Sequence, residues 1–274
     1  AIKFVSKMLC PCCGSIRPVS VMVKQPDIEG GAPTYKCELC VREEYVEERN
    51  EFAGAPKEAE IIDFKEAAAA ILARRELARR RFLPFVHIFR PGYQAGWVHK
   101  DICRRLEQFS KDVAAKKSPR LMLFMPPRSG KSELVSRCFP SWHLGQYPTD
   151  EIIACSYAAS LANSFSRKVR EILRDPEYHK IFNTRLDKSS QAVEQWMTSA
   201  GGGYVAAGVG TAVTGRGANI LLIDDPFKDR QEADSELQRQ RVWDWYTSTA
   251  YTRLMQKGAI IVINTRWHDD DLTG

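Results

Sequence analysis

The chain has 274 residues, of which 44% are hydrophobic and 27% charged, and its formal net charge is +6. These values are ordinary for a globular protein with one well-buried domain and a small appendage. The sequence has no run of about 18 apolar residues and no signal segment, which argues against a membrane-spanning or secreted protein and predicts a cytosolic one with no membrane partner. The positive charge suits a polyanionic partner but does not by itself establish one.

Residues 1–50 are predicted to form a separate, zinc-ribbon-like module. Two Cys-x-x-Cys pairs are separated by 23 residues, Cys10 with Cys13 and Cys37 with Cys40. Two such pairs are typical of a structural Zn²⁺ site, and zinc would stabilise a module that has too little core to fold alone. Free thiols or disulfides are the alternatives, as is a ligand set of Cys12, Cys37 and Cys40.

Residues 51–84 are predicted as a linker and a basic helix. The helical pattern is rich in alanine, runs from Lys57 to Phe82, carries five arginines near its end and is ended by Pro84. Arginines at a helix C-terminus complement the helix dipole, so a solvated face is the default interpretation and contact with DNA the alternative. Residues 85–274 are expected to form one α/β domain, with an early helix from Lys100 to Phe109.

The strongest functional signal lies between residues 121 and 132. The apolar run Leu121–Met125 predicts a buried strand, a loop ends in Gly130-Lys131-Ser132, and a helical pattern follows. This order of strand, loop and helix is that of a phosphate-binding loop, although Met125 stands where the first glycine is usual. An ordinary turn after a buried strand is the alternative.

In a phosphate-binding loop each position has a defined task. Backbone N–H groups around Gly130 would face the phosphates, Lys131 would reach the β- and γ-phosphates, and the Ser132 hydroxyl would ligate Mg²⁺. We therefore expect Arg128, Ser129, Gly130, Lys131 and Ser132 to bind ATP.

Other apolar runs predict the neighbouring elements of the domain. Ile152–Ser156 is predicted as a buried strand and Ala158–Arg174 as a helix with one apolar face, whereas the glycine-rich stretches 201–203 and 208–217 are predicted as loops. Three aromatic residues further on are expected in the core rather than as a base-stacking platform, namely Trp243, Trp245 and Tyr246.

A second strand of the site is predicted to end in two carboxylates. The apolar run Ile220–Ile223 is followed directly by Asp224 and Asp225. Ligands of open parallel sheets bind at the carboxyl ends of strands, so Asp224 is expected beside the phosphate loop as a Mg²⁺ ligand. Asp225 points another way and suits polarising the attacking water. The alternative is a turn in which an aspartate caps a helix.

The last predicted strand, Ala259–Asn264, ends in Thr265 and Arg266. By the same argument both residues should face the γ-phosphate, where the Thr265 hydroxyl would sense the phosphate and report its loss. The acidic run Asp269–Asp271 is predicted as a solvated loop rather than a metal site. Together these strands and helices predict a mainly parallel central sheet flanked by helices, the α/β architecture of a P-loop NTPase.

Several motifs occur in a consistent order over roughly residues 60–274. They are Pro126-Pro127-Arg128-Ser129-Gly130-Lys131-Ser132, Thr214-Gly215-Arg216-Gly217-Ala218-Asn219, Asp224-Asp225-Pro226, Thr252-Arg253-Leu254 and Thr265-Arg266-Trp267-His268, with Gly92, Tyr93, Trp97 and His99 upstream. In this order they resemble the ATPase motor of the large terminase subunit of tailed bacteriophages.

The resemblance implies an enzyme that hydrolyses ATP with Mg²⁺ to translocate double-stranded viral DNA into a procapsid. It implies as partners the DNA, the portal protein, the small terminase subunit and further copies of the chain in a ring, all in the host cell cytoplasm during virion assembly. Large terminases normally carry a nuclease domain after the motor. No further carboxylate-bearing strand follows here, so the motor part alone is expected.

The resemblance also suggests a base-binding segment. Tyr93 or Trp97 would stack on the nucleotide base and Gln94 would hydrogen-bond to it, with core packing of the aromatic rings as the alternative.

Three arginines are candidates for stabilising the transferred phosphoryl group, and they are Arg128, Arg216 and Arg266. Arg128 is favoured because it lies inside the phosphate loop. Asp225 stands where many related motors have glutamate, which shortens the reach of the catalytic base.

Two other functions fit the same motifs. A P-loop kinase or another NTPase acting on a small molecule would have a small-acceptor pocket, and DNA would not stimulate its turnover. A zinc-ribbon adaptor that holds nucleotide only for assembly would bind the nucleotide without hydrolysing it.

Overall fold

The computed structural model describes residues 64–213 and 215–274 and, within residues 1–63, the backbone of four short strands. The chain divides into two compact units, Ala1–Asp63 and Phe64–Gly274. In the first unit, β1 (Lys7–Leu9) pairs with β2 (Ile16–Pro18) and β3 (Met22–Lys24) pairs with β4 (Tyr35–Cys37), both antiparallel.

The predicted zinc ligands belong to this first unit. Cys10, Cys13 and Cys40 lie outside the described residues, as does the alternative ligand Cys12, and of Cys37 only the strand backbone is described. Zinc binding by this module therefore stays a prediction.

The second unit alternates helices and strands. Its helices are α1 (Phe64–Arg80), α2 (Phe82–Phe89), α3 (Trp97–Ala114), α4 (Phe139–Gln146), α5 (Ala159–Arg174), α6 (Tyr178–Ile181), α7 (Arg230–Asp234) and α8 (Glu236–Trp245). Two π-helical segments, Glu133–Cys138 and Tyr246–Ala250, and one 3₁₀ turn, Tyr251–Arg253, adjoin α4, α8 and the last strand. Its strands are β5 (Arg120–Phe124), β6 (Glu151–Ser156), β7 (Leu186–Gln191), β8 (Gln195–Thr198), β9 (Gly203–Gly208), β10 (Ala218–Asp224) and β11 (Leu254–Asn264).

These strands form one seven-stranded sheet in the order β5-β11-β10-β6-β9-β8-β7. The first five strands run parallel, and β8 and β7 are antiparallel additions at the far edge. In the register of the parallel part, Asp224 lies beside Ser156 and Ile263, and Asn264 lies beside Phe124. The carboxyl ends of β5, β11, β10 and β6 therefore meet along one edge. The predicted mainly parallel sheet flanked by helices is confirmed.

Apolar residues are buried on both faces of the sheet, as expected for parallel strands between helical layers. On one face Leu222 and Ile261 pack against residues of α2 to α5, including Trp142. On the other face Leu221 and Ile260 pack against the end of α8 and the π-helical segment after it. No helix in the described part of the chain is long and apolar enough to cross a membrane.

The basic helix differs from its predicted extent. It ends at Arg80, and Pro84 lies in the first turn of a new helix, α2, instead of ending the old one. Proline is tolerated there because the first turn does not use its N–H. The carboxylate of Glu107 accepts the Phe82 N–H at 2.8 Å and the Arg81 Nε–H at 2.9 Å, so it caps the new helix from outside.

Two predictions about surface and loops were partly wrong. Trp245 is buried as expected, but Trp243 is half exposed, because residues two positions apart on a helix face nearly opposite sides. The glycine-rich stretches are not all loop, since Gly203–Gly208 forms β9 beside β6. A Cβ on Gly203 would lie 2.6 Å from the Trp196 carbonyl oxygen, so the glycine permits close approach of the neighbouring strand rather than a turn.

Candidate functional site

The loop after β5 reaches the edge where the parallel strands end. Its backbone is tied to β11 by the Met125 N–H, which donates to the Asn264 carbonyl at 3.3 Å, and to the following helix by the Leu134 N–H, which donates to the Gly130 carbonyl at 3.2 Å. Gly130 has φ +83° and Arg128 has φ +59°. The left-handed backbone at Arg128 costs energy in a residue with a Cβ, and such conformations persist where the surroundings hold them.

Lys131 joins the ends of three strands. Its side chain is almost fully buried, and its Nζ donates to the Thr265 hydroxyl at 2.5 Å and pairs with Asp225 Oδ2 at 3.0 Å. The Thr265 N–H in turn donates to Asp225 Oδ1 at 2.7 Å. The expected proximity of Lys131, Asp225 and Thr265 is therefore present in the geometry, with the lysine in the middle.

Asp224 lies beside this cluster with different partners. Its carboxylate is 1% exposed, Oδ1 accepts from the Ser132 hydroxyl at 3.2 Å and Oδ2 accepts from the Ser136 hydroxyl at 2.5 Å. Burial raises the pKa of Asp224 to about 7, although the Ser136 hydrogen bond opposes the rise. A nearby cation would stabilise the charged form of this carboxylate.

The donor set of Ser132 and Asp224 fits Mg²⁺. Both supply oxygen, and Mg²⁺ is usually held by one or two carboxylates together with substrate phosphates and water rather than by a full protein cage. Within the described residues no group of three or more His, Cys, Asp or Glu side chains could hold a metal ion. A site built on one carboxylate therefore depends on a phosphate to complete it.

A segment upstream of β5 packs against the loop that follows this strand. The Tyr93 ring lies against Gly130, where a Cβ would be 3.0 Å from the tyrosine oxygen. His99 Nε2 donates to the Ser129 carbonyl at 2.8 Å, while His99 Nδ1 accepts the Gly96 N–H at 3.1 Å. The two bonds together assign a neutral imidazole protonated at Nε2.

The three predicted base-binding residues thus lie in different surroundings. Tyr93 is half-buried against the loop, whereas Gln94 is exposed and Trp97 is 80% exposed at the start of α3. Only the last two are free to approach a base without moving the loop. His99 belongs to the upstream motif with Gly92, Tyr93 and Trp97 but was not predicted to bind nucleotide, and the motif did not reveal its bond to the Ser129 carbonyl.

Two buried hydroxyl groups near the loop, Ser129 Oγ and Tyr93 Oη, have no hydrogen-bond partner among the residues that the structure describes. A buried polar group without a partner is costly, so such groups mark places where a ligand is expected to supply one. Hydroxyl donors beside Gly130 and Lys131 fit the oxygens of a phosphate group.

The three candidate arginines are not equivalent. Arg128 is exposed in the loop and makes no hydrogen bond or ion pair with any described residue. Arg266 is held by Asp271 at 2.8 Å and lies over the ring of Phe124, 5.3 Å from its centroid. Asp271 is itself buried, so the predicted solvated loop is solvated only at its other two aspartates.

Arg216 does not lie beside the site, contrary to expectation. It pairs with Glu151 at 2.6 Å, and Glu151 is the first residue of β6. The site lies at the other end of this strand, next to Ser156, and five residues of extended strand span about 16 Å. The chain between β9 and β10 runs back to the amino ends of the parallel strands and carries Arg216 with it. The glycine-rich sequence of this connection did not predict that path.

Comparison with known proteins gives two matches. The family model "Terminase large subunit, T4likevirus-type, N-terminal" matches residues 122–273, which is more than half of the chain. The crystal structure of the HK97 bacteriophage large terminase is similar at 15% sequence identity and a TM-score of 0.46, over 74% of this chain and 39% of that one. The chain thus spans less than half the length of that protein, and no curated protein sequence matches it significantly. With the family match extending from β5 through the end of β11, the chain belongs to the terminase large subunit family.

Proposed function

We propose that this chain is the ATP-hydrolysing motor of a large terminase, which translocates double-stranded viral DNA into a procapsid. The observation that carries the proposal is the convergence of Lys131, Asp225 and Thr265 within hydrogen-bonding distance, beside the Ser132–Asp224 pair. These residues come from the carboxyl ends of three parallel strands, where open α/β sheets bind their ligands. Membership of the terminase family supports this function over a small-molecule kinase.

The partners of Lys131 suggest how hydrolysis begins. The Lys131 ammonium pairs with Asp225 and donates to the Thr265 hydroxyl. A γ-phosphate would compete for the ammonium, and Asp225 would then be free to orient and polarise the attacking water. The Thr265 hydroxyl would exchange its partner at the same moment, so β11 would carry a signal of phosphate binding and loss.

Ser132 and Asp224 would hold Mg²⁺ beside the phosphate loop. When bound, the ion neutralises the charge on the β- and γ-phosphate oxygens during transfer. The Ser132 hydroxyl donates its hydrogen to Asp224 Oδ1 and keeps its lone pairs for a cation, so the two residues could hold the ion without breaking this bond.

Arg128 is the best placed of the three arginines to stabilise the transferred phosphoryl group. It lies in the phosphate loop and has no hydrogen-bond or ion-pair partner among the described residues, whereas Arg216 and Arg266 are held by acidic residues. An arginine contributed in cis or by a neighbouring copy in a ring can raise turnover by about 10³-fold or more. Mixed rings of an Arg128→Ala chain and a Lys131→Ala chain distinguish the two arrangements, because activity returns only if Arg128 acts across the interface.

The remaining partners follow from the family. We infer that the chain works with double-stranded DNA, the portal protein and the small terminase subunit in the host cell cytoplasm, and that its net charge of +6 favours the DNA. The cysteine pairs of residues 1–50 would bind a structural Zn²⁺ ion in a module that contributes none of the nucleotide-site residues.

Lys131→Ala tests the proposal, with Lys168→Ala as the matched control. Lys168 lies on the surface of α5, paired with Glu171, so the same substitution there leaves the site untouched. We expect Lys131→Ala to abolish ATP turnover, measured with portal and DNA present, and Lys168→Ala to retain it. Normal turnover in Lys131→Ala would refute the site. Turnover insensitive to portal and DNA would favour a small-molecule NTPase, and nucleotide binding without any turnover would favour the adaptor.

A further inference from the structure

The helix that follows the phosphate loop presents a second hydroxyl to Asp224. Ser136 is four residues after Ser132, a spacing that places both side chains on one face of a helix. The two hydroxyls divide the carboxylate between them, with Ser132 on Oδ1 at 3.2 Å and Ser136 on Oδ2 at 2.5 Å. Ser136 is fully buried, so water does not compete for this bond.

The backbone around Ser136 is not an ordinary α-helix. Residues Glu133–Cys138 form a π-helical segment, in which the Phe139 N–H donates to the Leu134 carbonyl five residues back. Pro140 explains why the regular pattern fails here, because it has no N–H to donate to the Ser136 carbonyl four residues earlier. Single π turns inside α-helices are frequent at functional sites. This wide turn is the part of the helix that faces Asp224.

The two serines differ in their distance from the expected cation and in the Asp224 oxygen that each one contacts. Ser132 directly follows Lys131 in the loop, and its hydroxyl oxygen would itself be a ligand of the cation. Ser136 lies one turn further from the loop, and its hydroxyl bonds the carboxylate oxygen that Ser132 does not use. No salt bridge to Asp224 exists among the described residues, since Lys131 pairs with Asp225 instead. Ser136 is therefore the donor that fixes Asp224 Oδ2 from outside the loop.

We propose that Ser136 is a positioning residue that orients Asp224 for Mg²⁺, an inference that rests on the proposed ATPase site. It does not touch the cation or the nucleotide. Its effect is to fix one carboxylate oxygen so that the other faces the metal without reorientation. Hydrogen-bond partners of metal-binding carboxylates commonly change metal affinity about 10- to 100-fold when they are removed.

The test compares Ser136→Ala with Ser141→Ala in the full chain. Ser141 is equally buried, lies in the continuation of the same helical stretch and donates to the Arg137 carbonyl at 3.2 Å, away from Asp224. The measurement is binding of a fluorescent ATP analogue at increasing Mg²⁺ concentration, with direct Mn²⁺ binding by electron paramagnetic resonance as a second readout. A Ser136→Cys chain keeps the shape with a weaker donor and serves if the alanine variant does not fold.

We expect both Ser136 variants to raise the half-saturating Mg²⁺ concentration, about tenfold or more for alanine, while nucleotide binding without Mg²⁺ stays as in the parent chain. Ser141→Ala should leave the Mg²⁺ dependence unchanged. If the Ser136 variants titrate like Ser141→Ala while the parent binds nucleotide in an Mg²⁺-dependent way, the role of Ser136 is wrong and the proposed site stands. A parent chain whose nucleotide binding ignores Mg²⁺ overturns both.

Discussion

Replacing Asp224 by asparagine should stabilise the metal-free chain at neutral and alkaline pH. The carboxylate is 1% exposed, and burial raises its pKa from the ordinary 3.8 to about 7. Because the pKa of Asp224 is higher in the folded chain than in the unfolded chain, the folded chain binds this proton more tightly. Protonation of Asp224 therefore contributes its full free energy of stabilisation below about pH 4, and this contribution is lost as the pH rises to about 7. Asparagine removes this loss because it is never ionised.

The size of the effect follows from the pKa difference. Roughly three pKa units at 1.36 kcal/mol each give about 4 kcal/mol as an upper value. The gain of Asp224→Asn over the parent should therefore grow by about 1.4 kcal/mol per pH unit between pH 4 and 7 and level off above pH 7. The asparagine amide can still share hydrogen bonds with Ser132 and Ser136, whose hydroxyls both donate and accept.

Urea unfolding of the two chains in chelator, from pH 4 to pH 8, measures this difference. Asp271→Asn is the matched control, because this carboxylate is also buried but is paired with Arg266. That variant should be less stable than the parent at pH 8, since the arginine loses its anionic partner. Adding Mg²⁺ and nucleotide should stabilise the parent more than Asp224→Asn. A gain that does not change with pH, or a loss at pH 8, would refute the argument from burial.

Three further predictions concern the rest of the site and the first module. Asp225→Asn should keep Mg²⁺-dependent ATP binding but lose turnover, whereas Asp224→Asn should weaken Mg²⁺ binding itself; identical metal titrations for the two would contradict the division of roles. His99→Ala should weaken nucleotide binding by up to about tenfold without unfolding the chain. His99→Gln should lose less affinity, because its amide can still donate to the Ser129 carbonyl. If calorimetry gave both variants the nucleotide affinity of the parent chain, His99 would not belong to the site. Elemental analysis should find one Zn²⁺ per chain, and replacing any one of its predicted ligands, Cys10, Cys13, Cys37 or Cys40, by serine should release the ion. If every serine variant kept its full zinc content, the cysteines would remain unexplained.

The central strands and the loop after β5 were predictable because local and global signals agree there. The apolar runs Ile220–Ile223 and Ala259–Asn264 form buried strands, as predicted. The prediction of a buried strand at Leu121–Met125 was wrong, because β5 lies at the edge of the sheet and its Met122 and Phe124 are about half exposed. The outer strands were missed for the converse reason. Leu186–Gln191 is polar and lacks alternation, and it forms β7 only because β8 offers an antiparallel partner. Such pairing depends on residues distant in the sequence.

The site residues also fall into those that a local motif predicts and those that depend on tertiary contacts. Lys131, Ser132, Asp224 and Asp225 belong to motifs, and the structure brings them together. Ser136 could have been found from its spacing of four after Ser132 on a predicted helix. His99 also lies in a motif, but its two hydrogen bonds could not be predicted, since they depend on how the start of α3 lies against the loop. The prediction that Arg216 lies beside the site was wrong for a similar reason. The local sequence does not specify at which end of the sheet a loop between two strands lies.

The backbone of Asp225 gives a reason for the residue type at this position. Asp225 has φ +46°, in the left-handed region, and its carboxylate contacts Lys131 and Thr265, whereas that of Asp224 contacts Ser132 and Ser136. Aspartate and asparagine tolerate that conformation better than residues with longer side chains. The short side chain of Asp225 thereby places Oδ2 3.0 Å from Lys131 Nζ and Oδ1 2.7 Å from the Thr265 N–H. Asp225→Glu is then a change of backbone geometry as much as of length, and the two acids are not interchangeable in this protein.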